Sequence, residues 1–154
     1  MADGAFRRAV WMDIHADMHS AEDVAEFVEW CRAEDIGLVF PCVNHCTGFM
    51  TYASDVAPRS AVSDTWDATA EVADRCREAG IETHVWVCIS NAGPSAIEPG
   101  AVSSRGPRPL AETHPEWFCV DQTGRSMLDP AVAGLYPHVS LNPEKRKRNL
   151  KSML

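Results

Sequence analysis

Two stretches of the chain resemble each other and lie about one structural unit apart. Residues 29–43 read EWCRAEDIGLVFPCV, and residues 74–88 read DRCREAGIETHVWVC. Each has a Cys-Arg pair near the end of a helical pattern, then a glycine, then an apolar run typical of a strand. A repeat of about 45 residues is the spacing expected of βα units, in which parallel strands need a helical crossover. The repeat therefore predicts an α/β fold with parallel strands.

Helix and strand signals alternate along the first 90 residues and then stop. Apolar runs predict three strands, at residues 9–14, 38–44 and 81–90. Residues 91–109 are rich in Gly, Pro and Ser, which predicts a long loop. A third helix is expected to begin at residues 142–144, where a proline takes the first helical position.

The helices between these strands have recognisable ends. Ser20 is expected to cap the first helix, with Asp23 in the capping-box position, and Gly37 is expected to close that segment. Asp64 is expected to cap the second helix, and Gly80 to end it.

Alternation along the strands assigns side chains to two faces of the sheet. One face is apolar and is expected to pack under helices. The other carries aromatic and polar groups, and in a β/α barrel it would point into the barrel, with the carboxyl ends of the strands at the active-site mouth. The set expected to face the helices is Val10, Met12 and Ile14, Val39, Pro41 and Val43, and Val85, Val87 and Ile89.

Charge and composition exclude several classes of function. The formal net charge is -8, and five of the 14 basic residues are clustered at residues 145–151, which leaves an acidic body. Nucleic-acid binding is not expected, because phosphate contacts need a basic face. No segment has the pattern of a signal peptide or the length of a membrane span, so no membrane association is expected. Six cysteines without a secretory signal predict reduced thiols in the cytoplasm.

Five motifs then follow one another in a single order. They are RAVWMDI, LVFPCVNHCTGFMTYASDVAP, GIETHVWVCIS, HPEWFCVDQTGRSMLDP and LNPEKR, spread over roughly residues 7–148. In this order they resemble the N-terminal part of the hypothetical glycosyl-hydrolase-like family 10 group, whose members are similar to α-amylase-type TIM barrels. The resemblance implies a carbohydrate-active protein, a glycoside hydrolase acting on O-glycosidic bonds, with no cofactor.

Tryptophans beside polar groups suit sugar rings, which offer apolar C–H faces and hydroxyl rims. For Trp11 and Trp86, the alternative is that they fill a barrel core. Family members often have an arginine after strand two, where this chain has Asn44 and His45, so a contact made by that arginine is not expected here. The residues expected to bind a carbohydrate substrate are Trp11, Asp13, Asn44, His45, Tyr52, His84 and Trp86.

The resemblance also implies a larger fold than the chain encodes. A (β/α)8 barrel needs about 250 residues, whereas this chain supplies about three βα units over residues 8–154, after a flexible N-terminus at residues 1–7. We therefore expect a truncated TIM barrel that lacks the catalytic carboxylate pair of glycoside hydrolases. No catalytic residue is assigned. The isolated chain is expected to be catalytically silent and to self-associate through its open sheet edge.

Two other classes of function compete with this interpretation. Asp13, His15 and His19, with His45 after strand two, resemble the ligands of metal-dependent amidohydrolase and PHP-type phosphoesterase barrels. Those families use His-x-His, whereas here three residues separate the first two histidines and Ser20 already caps a helix, so a metal site is not expected. The other class is a non-catalytic carbohydrate-binding fragment.

Two further motifs have simpler explanations. Cys42 and Cys46 flank His45 in the manner of half a zinc knuckle, but no second pair of ligands has matching spacing. The HPEW segment, His114–Trp117, could shape a substrate cleft. We favour a structural role, in which Trp117 anchors the long loop.

Overall fold

The computed structural model of the protein describes residues 7–44, 48–89, 101–129 and 131. The third helix expected at residues 142–144 lies outside these ranges, as do most of the predicted loop at 91–109 and residues 1–6. In chain order the elements are β1 (Arg8–Asp13), α1 (Ile14–Asp17), α2 (Ala21–Ala33), β2 (Ile36–Cys42), a 3-10 helix (Ala61–Asp64), α3 (Ala68–Glu78), β3 (Glu82–Thr83), α4 (Leu110–Thr113) and a second 3-10 helix (Pro115–Trp117).

The three strands form one parallel sheet in the order β1-β2-β3, which confirms the α/β class predicted from the repeat. β1 pairs with β2 along its whole length, and Trp11 lies opposite Phe40. β3 pairs with β2 over Glu82 and Thr83, and Trp86 adds an isolated parallel bridge to Cys42. The third strand is thus shorter and less regular than the apolar run at 81–90 predicted.

The start of α2 was predicted correctly and its end was not. Ser20 caps the helix, and its hydroxyl accepts a hydrogen bond of 3.2 Å from the backbone N–H of Asp23. Gly37, however, lies inside β2 and does not close the helix. The left-handed position after the helix belongs to Asp35, with φ of 54°. Aspartate tolerates that conformation better than most side chains, so a glycine was not needed there.

The prediction for α3 failed at the opposite end. Asp64 does not cap α3, because it belongs to a 3-10 helix that ends four residues before α3 begins at Ala68. Gly80 does end the helix, with φ of 74°. The N–H of Ile81 bonds to the carbonyl of Cys76, and that of Gly80 bonds to the carbonyl of Arg77. This pair of bonds is the Schellman arrangement that a left-handed glycine allows.

The alternation of faces holds in β1 and β2. Met12, Val39 and Pro41 are buried, whereas Trp11 is 68% exposed. The assignment fails in the third strand, where Val85 was expected to pack under helices and is 58% exposed. The N–H groups of His84 and Trp86 still bond to the carbonyls of Val39 and Pro41, so the register continues past Thr83 and alternation alone does not determine whether Val85 is covered.

The chain divides into two compact units. The sheet unit comprises Met1–Val43 and Ala68–Trp86, and therefore holds the sheet, α2 and α3. Its core is formed by side chains from α1, α2 and α3 and from the covered sheet face. The largest fully buried ones are Ile14, Val24, Cys31, Val39, Pro41 and Val72.

The loop unit comprises Asn44–Asp67 and Val87–Leu154. Its described residues contain two small apolar clusters, one around Leu110 and Trp117 and one around Met50. Residues 121–124 form a turn. Gly124 has φ of 84° there, and Val120 bridges to Ser126 on the other side of the turn.

Candidate functional site

Three rings lie side by side across the sheet unit, on the face opposite the helices. Trp11 of β1 stacks on Phe40 of β2 with ring centroids 5.2 Å apart and planes 25° apart. Phe40 in turn contacts the ring of His84, which follows β3, at a centroid distance of 6.0 Å and an angle of 52°. The parallel register brings these rings together, since one residue from each chain segment falls in the same row. We call these three residues the aromatic row.

The register places a second row beside the first, towards the carboxyl ends of the strands. It contains Asp13, Cys42 and Trp86. Cys42 is buried, whereas Trp86 is 46% exposed. We use the term aromatic face for the sheet face that carries Trp11, Phe40, His84 and Trp86. An exposed cluster of large rings on one sheet face is the kind of surface that usually marks a binding site.

A chain of hydrogen bonds ends at His84. Arg7 Nη2 donates to the carbonyl oxygen of Gly37 at 2.7 Å, and Arg7 Nη1 donates to Glu82 Oε2 at 2.6 Å. His84 Nε2 lies 2.5 Å from the other carboxylate oxygen, Glu82 Oε1. The hydrogen bond from His84, together with the bond from Arg7, holds the pKa of Glu82 below its ordinary value. Arg7 belongs to the segment expected to be flexible, and in the structure it has two partners.

Asp13 has a clear structural role. It is the N-cap of α1, and its Oδ1 accepts a hydrogen bond of 3.0 Å from the N–H of His15. The N–H of Asp13 itself donates to Asp17 Oδ2 at 3.0 Å. The contact between Asp13 and a carbohydrate stays a prediction.

The remaining candidate residues belong to the loop unit. Asn44 is fully buried, and its side chain makes two hydrogen bonds with the backbone of Cys88, of 3.0 and 2.7 Å. That pairing holds two loop segments together. Tyr52 is half-buried, and desolvation, with the nearby Asp67 carboxylate, raises the pKa of its phenol. His45 lies outside the described residues. Binding of carbohydrate by these three residues stays a prediction.

His15 and His19, which suggested a metal site, belong to different local structures. His15 is the second residue of α1, and the N–H of His19 donates to the Asp23 carboxylate at 2.9 Å, ahead of α2. Within residues 7–44, 48–89, 101–129 and 131, no three His, Cys, Asp or Glu side chains form a group that could hold a metal ion. His45 and Cys46 are outside those ranges.

The HPEW segment packs as an anchor in the loop unit. Trp117 is 7% exposed and forms an apolar cluster with Leu110 and Phe118. The ring of His114 lies flat on the indole of Trp117, with centroids 3.8 Å apart and planes 2° apart. These contacts agree with the structural role that we favoured from the sequence.

Sequence reasoning missed three members of the site. Phe40 lies on the same strand face as the chosen residues, so the alternation pattern could have identified it. Arg7 and Glu82 left no comparable signal, because their ion pair joins residues 75 positions apart. Only the register of the folded sheet brings them together.

Comparisons with protein-family models and with curated proteins find no match for this chain. None of the helices in the described ranges has the length and apolar character needed to cross a bilayer. What the fold and the site define is an α/β protein with a three-stranded parallel sheet, one face of which presents exposed aromatic rings.

Proposed function

We propose that this protein binds carbohydrate on the aromatic face. The observation that carries the proposal is the stacked pair of Trp11 and Phe40, in which the indole remains 68% exposed. Exposing so large an apolar ring to water is unfavourable unless a ligand covers it. A pyranose ring is a suitable ligand for this surface, because its C–H face packs on an aromatic ring while its hydroxyl groups remain at the polar rim.

Polar groups at both ends of the aromatic face support a sugar over a purely apolar ligand. His84 and Glu82 stand at one end of the face, and Asp13 stands towards the carboxyl end of β1. These groups can exchange hydrogen bonds with hydroxyl groups, which an aliphatic ligand lacks. A site that pairs flat rings with a few convergent polar groups is typical of small-molecule recognition.

Binding without cleavage is the activity that these residues support best. The carboxylates nearest the face are Asp13, which aligns with Cys42, and Glu82, which aligns with Leu38. These positions are four residue steps apart along β2, or roughly 13 Å at about 3.3 Å per residue. Glycosidase carboxylates are about 5–9.5 Å apart, so these two are too distant to act as a catalytic pair.

We further propose that the sheet unit corresponds to part of a (β/α)8 barrel related to the glycoside hydrolases. In such a barrel the aromatic face is the inner one, and the carboxyl ends of the strands form the ligand-binding mouth. The three parallel strands, with helices covering one face, are compatible with this architecture. We also propose a cytoplasmic location, where thiols such as those of Cys31 and Cys76 stay reduced.

Isothermal titration calorimetry on the purified chain tests the binding proposal. The ligands are neutral oligosaccharides such as cellohexaose, maltohexaose and xylohexaose, with an oligogalacturonide as the acidic comparison. The variants are Trp11→Ala and Trp86→Ala, and Trp30→Ala is the matched control because that indole is 47% exposed but lies on α2. We expect the first two variants to lose affinity and the control to keep it.

Two outcomes contradict the proposal. One is the absence of heat with every glycan at millimolar concentration. The other is a dimer, seen by analytical ultracentrifugation, that dissociates on Trp11→Ala while no glycan binds, since the face would then be an interface between copies of the chain. Release of reducing sugar by the purified protein would contradict the claim that it binds without cleaving.

A further inference from the structure

The hydrogen-bonded chain from Gly37 through Arg7 and Glu82 to His84 crosses all three strands of the sheet. Arg7 precedes β1, Gly37 belongs to β2, and Glu82 begins β3. Each group therefore has its position set by a different strand. The imidazole at the end of this chain is fixed on two sides, by the Glu82 carboxylate and by contact with the ring of Phe40.

This series of hydrogen bonds determines which ring nitrogen of His84 carries the hydrogen. Glu82 is a carboxylate that accepts from Arg7 through Oε2, and an ionised carboxylate can only accept. The short contact between Glu82 Oε1 and His84 Nε2 therefore requires a hydrogen on Nε2. A neutral imidazole protonated at Nε2 has its lone pair on Nδ1. In its neutral form the ring thus offers Nδ1 as a hydrogen-bond acceptor.

We infer that His84 is the residue of the aromatic row that determines specificity, with Nδ1 accepting a hydrogen bond from a hydroxyl group of the sugar that covers Phe40. Arg7 and Glu82 are positioning residues, which hold the imidazole in this tautomer and orientation. The inference rests on the proposed carbohydrate-binding function and adds the polar contact that selects the ligand.

The charges around His84 define the class of glycan. The charged groups linked to His84 are the Glu82 carboxylate, which bonds to its ring, and the Arg7 guanidinium, which bonds to that carboxylate. The ring of Phe40, on the third side, is uncharged. No cation within the described part of this cluster is left to pair with an acidic sugar, so the ligand is a neutral glycan that has a free hydroxyl group at the edge of the stacked ring.

The tautomer can be measured without any ligand. Long-range proton–nitrogen correlation spectra of the 15N-labelled protein should show His84 with its hydrogen on Nε2. In Glu82→Gln the new amide can donate or accept, so the preference should weaken towards a mixture. Glu29→Gln is the control, because it breaks an ion pair with Arg32 on α2 in which both side chains are exposed. A hydrogen on Nδ1 in the parent protein, or an unchanged tautomer in Glu82→Gln, overturns the positioning role.

Calorimetry with the neutral hexasaccharides then tests specificity. His84→Phe keeps a ring beside Phe40 but removes both nitrogens, and it should weaken binding roughly tenfold, the value of one hydrogen bond. His84→Asn places an amide oxygen near the position of Nδ1 and should recover more affinity than His84→Gln. The loss of affinity caused by His84→Phe should also be smaller for monodeoxy sugars that lack the hydroxyl group proposed to bond to His84 Nδ1.

The outcomes separate this inference from the proposed function. If the parent binds a glycan and His84→Phe binds it equally well, the inference is wrong and the proposed function stands. If the parent binds none of the glycans although His84 carries its hydrogen on Nε2, both the proposed function and the specificity role fail. The spectra then show that the hydrogen-bonded chain is purely structural.

Discussion

Trp11 stacks on Phe40 across two neighbouring parallel strands, yet the indole remains 68% exposed to solvent. Aromatic pairs of this geometry stabilise a fold beyond the area that they bury. The pair is part of the sheet, and in the proposed function it is also the surface that binds the ligand. The two roles can be measured separately.

A double-mutant cycle should detect the structural role. We expect Trp11→Ala and Phe40→Ala to show a coupling free energy of about 0.5–1.5 kcal/mol in urea unfolding, because the rings are in direct contact. Trp30 and Phe40 have no ring contact in the structure, so the corresponding cycle with Trp30→Ala should show coupling near zero. Equal coupling in both cycles would mean that the stacking adds nothing specific.

The two helix ends should respond to substitution in opposite directions. Gly80→Ala places a side chain at φ of 74°, where no atom clashes with the new Cβ but the backbone conformation disfavours it. We expect the free energy of unfolding to fall by about 1 kcal/mol. Asp35→Gly relieves the same conformation at φ of 54° and should raise stability by up to about 1 kcal/mol. Thermal melts of both variants measure these effects. If the melting temperatures of Gly80→Ala and Asp35→Gly shifted in the same direction, left-handed backbone strain would not explain them.

These helix ends also show what the sequence could predict about the fold. Ser20 and Gly80 were correctly assigned because capping depends on backbone atoms only a few residues away. Gly37 was misassigned because Asp35, an equally local candidate, already occupied the left-handed position. The sequence offered both Asp35 and Gly37 as candidates for the end of α2. Because β2 begins at Ile36, only Asp35 can take that position.

Non-local contacts explain most of what the sequence did not predict. Asp64 looked like a helix cap, but its carboxylate accepts a hydrogen bond from Ser103, 39 residues away. Glu82 gave no sign of its partner Arg7, 75 residues earlier. Alternation, in contrast, correctly placed Trp11 on the face away from the helices, because it depends only on the strand's own geometry.

Loss of the Asp64 carboxylate should destabilise the loop unit. Asp64 lies 3.1 Å from the guanidinium of Arg59, and the two side chains are only 20% and 12% exposed. Asp64→Ala leaves that cation poorly hydrated and unpaired, which should cost about 2–3 kcal/mol in urea unfolding. Asp64→Asn keeps the hydrogen bond from Ser103 and should cost less. Glu29→Ala, which breaks an exposed ion pair, should change stability by no more than about 0.5 kcal/mol; a comparable loss there would contradict the argument from burial.

The buried Cys31 thiol should make the fold sensitive to alkali. Burial, with a smaller effect from Cys76, raises its pKa from 9.0 to about 11. An unfolded thiol loses its proton above about pH 9, whereas the folded one retains it up to about pH 11. This contribution to stability is therefore complete below pH 9 and is lost as the pH rises towards 11.

Denaturant unfolding between pH 8 and pH 11 tests that expectation. Cys31→Ala should lower stability at pH 8 by about 1 kcal/mol through lost packing but reduce the decline at higher pH. If the Cys31 thiol played no part, the free energy of unfolding would fall with rising pH equally in the parent and in the variant. In the native protein at pH 8, Cys31 should also react with alkylating reagents far more slowly than it does in urea.

Asp121 should give the turn of the loop unit the opposite dependence on pH. Its carboxylate accepts hydrogen bonds from the hydroxyl of Thr123 and from the backbone N–H groups of Thr123 and Arg125. The hydroxyl bond is the largest of the effects that lower the pKa of Asp121 to about 2. A lowered pKa stabilises the fold above the ordinary value of 3.8, and this stabilisation is lost as the pH falls towards 2.

Carboxyl carbon NMR shifts of Asp121, followed from pH 6 to pH 1.5, measure this directly. The parent should titrate near pH 2, and Thr123→Val should move the midpoint upwards because it removes the hydroxyl donor. Thr123→Ser keeps a hydroxyl group and should stay close to the parent. Asp121→Asn should be less stable than the parent at pH 6, and the difference should close as the parent's carboxylate is protonated. If Thr123→Val and Thr123→Ser titrate together, the hydroxyl bond does not set the pKa of Asp121, and the backbone donors together with the Arg125 guanidinium must account for it.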